Sequence, residues 1–124
     1  MSRRQYIACE FFGVRLDNGT DAIEIESQAF LRNAYPLRVE LFEAGAAFVE
    51  PLVGLAVLHP HLNPPRQLVE LGTRTTDNLQ ALWPFVVPAG AKLSIIMPGE
   101  AFKRALAAKT FRTLGLLVEL PESA

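Results

Sequence analysis

The run Pro84-Phe85-Val86-Val87-Pro88-Ala89-Gly90-Ala91-Lys92-Leu93-Ser94-Ile95-Ile96-Met97-Pro98-Gly99 constrains the fold more than any other stretch of the chain. It reads as an apolar strand, a tight Pro-Ala-Gly turn, a second apolar strand and a Pro-Gly stop. Leu93, Ile95 and Met97 alternate with Lys92, Ser94 and Ile96, the two-residue period of a strand with two unlike faces. Pro88 brings its fixed φ to position i+1 of a type I turn, and Gly90 fits position i+3. Such a hairpin belongs to a β-sandwich or barrel, and it carries no group that does chemistry.

Further strand-and-turn units surround it. Tyr6 to Leu16 reads as a strand with a bend at Gly13, and Asp17-Asn18-Gly19-Thr20 as a hairpin reversal. Residues 22–27 alternate Ile23 and Ile25 with Glu24 and Glu26, which predicts a half-exposed strand with a solvated acidic face. Leu37, Val39 and Leu41 alternate with Arg38, Glu40 and Phe42 in the same way. Residues 52–58 are almost wholly apolar, as in a strand covered on both faces or lying in an interface. His59 to Pro65 contains three prolines and must be an irregular loop. Residues 67–72 read as a short strand, and 79–87 lead into the hairpin. Glu100 to Lys109 is the one good helix, with Phe102, Ala105 and Leu106 as its buried stripe, and 114–120 form a last strand. The chain is therefore expected to be all-β: a β-sandwich over residues 1–124, jelly-roll-like, in a single domain with one short helix near residues 100–109.

Composition narrows the function. Hydrophobic residues make up 50% of the 124, mean hydropathy is +0.21 and charged residues are only 20%, against roughly 25% in an average globular chain. The surplus either crowds one dense core or lies outside as a subunit interface. Net charge is −1 with scattered basic residues, which argues against a nucleic-acid binder. Cys9 is the only cysteine, which excludes an intrachain disulfide and a cysteine zinc cluster; in its apolar run it reads as a buried core residue. The segment after Arg3-Arg4 is interrupted by Glu10 and lacks a cleavage site, so neither a signal peptide nor a membrane segment is expected. The expected location is a virion, if the resemblance described below holds, and otherwise the cytoplasm.

Few residues offer chemistry. His59 and His61 are the candidate metal ligands, since side chains two apart on a strand point the same way. Gly54, His59, His61 and the Pro88-Ala89-Gly90 turn resemble the layout of the cupins, jelly rolls that bind metal through His-x-His, a nearby Glu and a distant His. Here Pro64, Pro65 and Arg66 stand where the Glu belongs, Leu93 stands where the last His belongs, and there is no third histidine. No metal or other cofactor is expected. Glu24 with Glu26, or Glu40 with Glu43 and Glu50, could pair for acid–base work but read as solvated strand faces. No serine elbow or phosphate-cradling glycine loop is present. No enzyme activity is expected.

Aromatic residues are plentiful. Trp83-Pro84-Phe85 reads as core filling, a carbohydrate platform or an oligomer contact, and Phe42 sits on the outward face of its strand. Phe42, Leu55, Val57, Trp83 and Phe85 are the candidate interface anchors. With its short length, single cysteine, many strand–turn units and the hairpin phrase Phe85-Val86-Val87-Pro88-Ala89-Gly90-Ala91-Lys92-Leu93, the chain resembles the small β-sandwich accessory proteins of bacteriophage virions, such as decoration, cement or fibre-base proteins. That resemblance implies a non-enzymatic subunit whose partners are copies of itself or a larger protein assembly such as a capsid. The alternative is a cupin-like jelly roll that binds a small molecule or sugar. A third option is a module that offers a sheet edge to a peptide.

Overall fold

A computed structural model describes residues 3–15, 21–42, 46–100 and 114–120. Where the sequence predicts these strands, strands are found: β1 (Arg3–Arg15), β2 (Asp21–Ser27), β3 (Tyr35–Leu41), β5 (Pro51–Leu58), β7 (Lys92–Pro98) and β8 (Leu114–Leu120). A two-residue strand β4 (Ala46–Ala47), a ten-residue β6 (Arg66–Thr75) and a short helix α1 (Leu79–Leu82) complete the described elements. All strand pairs are antiparallel, in the order β4-β3-β8-β1-β2-β7-β5-β6. The fold is all-β, a curled sheet in the form of a half-barrel.

The pairings are nested. The first strand pairs with the last, β1 with β8, and β2 pairs with β7. Innermost, β5 pairs with β6 across the loop from His59 to Pro65. β3 pairs with β8 but has no full strand as its own partner in the nest. Instead the Val39 N–H donates to the Thr76 carbonyl (3.2 Å), and Ala34 and Val87 exchange two backbone bonds (3.0 and 2.7 Å). A long hairpin rolled upon itself in this way has jelly-roll connectivity.

β1 makes the corner. Its residues Arg3–Cys9 pair with β8 and its residues Cys9–Arg15 pair with β2, so Cys9 alone is flanked on both sides. One strand thus serves two lobes: β3, β8 and the first half of β1, then the second half of β1 with β2, β7, β5 and β6. Strands that switch sheets form the corners of packed β architectures. Cys9 is small and buried, as the bend requires.

The core lies between the lobes. Ile25, Leu55, Leu93, Ile95 and Met97 from one lobe meet Val39, Leu114, Leu116 and Val118 from the other. Phe30, Leu79 and Val87 close it from the connections. The second lobe is covered on its opposite face too, where Ala56, Ser94 and Ile96 are buried. β5, flanked by β6 and β7, is the central strand its apolar run predicts.

Five expectations need correction or fall elsewhere. The hairpin at 84–99 does not form: β7 pairs with β2 and β5, while 84–88 makes one isolated bridge from Val87 to Ala34. Pro84 and Pro88 lack the N–H that a ladder needs. The reversal starts one residue later than expected. The Ala91 N–H donates to the Pro88 carbonyl (3.1 Å), placing Pro88 at i and Gly90 at i+2, where its φ of 87° demands glycine. Residues 79–82, expected only to lead into the hairpin, form α1, because Asn78 Oδ1 accepts from the Ala81 N–H (3.3 Å) and buried Leu79 anchors the turn against β3. Apart from helical Glu100, the helix expected at 100–109 lies outside the described residues, as does the turn at 17–20.

Candidate functional site

The expected interface anchors divide into two groups. Leu55 and Val57 point into the core and are buried at 0% and 4% exposure, so they are not available to a partner. Two apolar faces on β5 disguise which one faces the interior. Phe42, Trp83 and Phe85 do reach the surface. The Phe42 ring lies over Gly115, where a Cβ has no room, and meets Tyr6 edge-on at 5.2 Å. Trp83 is half-buried and edge-on to Phe85 at 6.1 Å. Its indole Nε1 is buried and has no hydrogen-bond partner among the described residues. Phe85 is 68% exposed.

Sequence reasoning missed Leu31, which is 88% exposed. Its segment is stitched to the one that carries Phe85 and Val86. The Phe30 N–H donates to Ala91, the Gly90 N–H to Phe30, and the Ala89 N–H to Asn33 Oδ1 (2.8, 2.7 and 2.9 Å). Leu31, Phe85 and Val86 therefore stand on two loops joined to each other. No periodic pattern marks Leu31, because it lies on a loop.

Tyr6 is a second omission. Its hydroxyl donates to Glu40 Oε2, and Arg38 Nε donates to Glu40 Oε1. The hydrogen bond to Glu40, with some burial and the nearby negative charge, raises the Tyr6 phenol above its ordinary value. Glu40 is thus a buried clasp between β1 and β3, not part of a solvated face. The same correction applies to Glu24, which is buried and accepts from Ser94 Oγ and from Arg66 Nη1 (2.7 Å). Glu26 keeps the expected position near solvent, with Lys92 at 3.3 Å.

His59 and His61 lie on the loop after β5, so the strand geometry that would aim both rings at one ion is missing. Their rings are 5.2 Å apart and tilted by 47°. His59 Nδ1 accepts from the His61 N–H (3.1 Å), and its Nε2 lies against Gly90. Among the described residues, no three His, Cys, Asp or Glu side chains stand close enough to hold a metal. A pocket of about 290 Å³ opens beside His59, walled by Leu58, Pro60 and Pro65 and edged by Glu26, Arg66 and Lys92. Cys9 is no nucleophile here, since burial pushes its thiol up to about 12.

No protein-family model, curated protein or solved structure matches the chain. Among the described residues, no helix is long and apolar enough to cross a membrane.

Proposed function

We propose that this chain is a non-enzymatic assembly subunit, a jelly roll that self-associates or docks on a larger protein shell such as a virion. The observation that carries the reading is a pair of loops bonded to each other, on which Leu31 and Phe85 are 88% and 68% exposed. Large apolar side chains held in water by ordered backbone are expensive, and burial against a neighbour removes that cost. Tyr6 and Phe42 add a second aromatic pair on the outside of the first lobe.

Sedimentation velocity tests the proposal. The chain is expected to form a defined oligomer at micromolar concentration, and the Leu31→Ser/Phe85→Ser double variant to sediment as a monomer with an unchanged circular dichroism spectrum. A parent chain that stays monomeric at high micromolar concentration defeats the proposal for self-association.

A second reading, binding of a small molecule or sugar, has one observation in its favour. The pocket beside His59 joins apolar walls to the N–H donors of Arg66 and Lys92, the mixture small-ligand sites use. It is shallow and open, and its cations already answer Glu24 and Glu26. The assembly reading is the stronger of the two.

A further inference from the structure

The corner at Cys9 leaves half of a strand with an open edge. Beyond it, β1 has only β8 as a neighbour, because β2 stops at Ser27 and the chain turns away into residues 28–34. The last contact on the open side is the Gln28 N–H, which donates to the Ala8 carbonyl (2.9 Å). Along an antiparallel strand, peptide groups alternate in direction residue by residue. Tyr6 and Arg4, two and four residues from Ala8, therefore turn their N–H and C=O groups to the same open side. Among the described residues, no backbone group pairs with them there.

A groove of about 220 Å³ runs beside this edge. Tyr6 and Ile7 of β1, Leu31 and Ala34 of the connection after β2, and Leu120 of β8 line it. Arg3, Arg4 and Arg32 are exposed around it. Glu119 stands across the ladder from Arg4, so among the described residues the three arginines outnumber the one carboxylate at this corner. A second copy of the same edge would bring the same arginines together. An extended segment bearing carboxylates meets both the unpaired peptide groups and the charge.

We infer that the open edge of β1 at Arg4–Ala8 accepts an extended, acidic strand from a partner protein, which lengthens the first lobe by one strand. The partner's alternate apolar side chains enter the groove beside Leu31, and its carboxylates meet Arg4 and Arg32. This inference rests on the assembly reading and names the way in which the subunit docks.

The test is amide exchange by NMR on the full chain, with an alternating Val-Glu peptide and its Val-Lys counterpart as probes. In the free protein, the Arg4 and Tyr6 amides are expected to exchange rapidly, while the Ile7 amide, bonded to β8, is protected. Saturating Val-Glu peptide should slow exchange at Arg4 and Tyr6 about tenfold or more, and Val-Lys peptide should bind about tenfold more weakly. Arg4→Pro, which removes an edge donor, should abolish the protection. Arg4→Glu keeps the amide and should abolish the preference for the acidic probe. No protection with either peptide, or equal response to both, overturns the inference. If the edge fails while the chain still self-associates through Leu31 and Phe85, the assembly reading stands alone. A monomer that protects Arg4 and Tyr6 upholds the edge and defeats self-association.

Discussion

Cys9 shows how one side chain couples position to chemistry. It is the single residue paired on both flanks at the bend, and its burial moves the thiol from an ordinary 9.0 up to about 12. Between those values the unfolded chain releases a proton that the folded chain keeps. Stability therefore falls as pH rises through this window, by at most about 1.4 kcal/mol per pH unit from this group. Urea midpoints measured from pH 9 to pH 12 should fall more steeply for the parent than for Cys9→Ala; parallel curves would show that the thiol is not buried. The raised Tyr6 phenol adds to the fall at high pH in both proteins, so the difference between the curves isolates Cys9. The apolar run around Cys9 makes its burial legible in the sequence. Its place at the corner is not legible, because that depends on where β8 and β2 stop. Leu31 makes the opposite case: an apolar loop residue whose exposure follows only from what the roll leaves uncovered.

At the scale of the strand, two similar glutamates take different parts. Glu24 and Glu26 share a face of β2, yet Glu24 is sealed under Ser94 and Arg66 while Glu26 meets Lys92 near solvent. Glu24→Gln should cost about 1–3 kcal/mol, since it weakens a buried, charge-assisted contact. Glu26→Gln should cost under about 1 kcal/mol, as at exposed ion pairs generally. Chemical denaturation of both variants checks the contrast, and equal costs would refute it. Strands β2, β3 and β8 were readable because a local period of two defines them, and β5 because its run is almost wholly apolar. The missed hairpin and α1 turn on pairings distant in sequence. Val87 bridges Ala34, and Leu79 finds its cover on β3, partners that no window of neighbouring residues contains.

For the molecule as a whole, an all-β roll was legible in the density of strand and turn signals, whereas the order of its strands was not. The use of its surface follows from that order, since it joins the loops that carry Leu31 and Phe85 and leaves β1 half open. If assembly buries these loops, the thermal midpoint of the parent should rise with protein concentration, and that of Leu31→Ser/Phe85→Ser should not. Differential scanning calorimetry over a hundredfold range of concentration, about 2.7 kcal/mol of mass action at most, would reveal the difference. The outermost pair of the nest has its own consequence. Arg3 and Leu120 are ladder partners, so the two ends of the described chain meet at one edge. A short linker could splice them, and the proline-rich bend between β5 and β6 could be cut to make new ends. Such a circular permutant, joined through Arg3 and Leu120, would keep every described strand pairing.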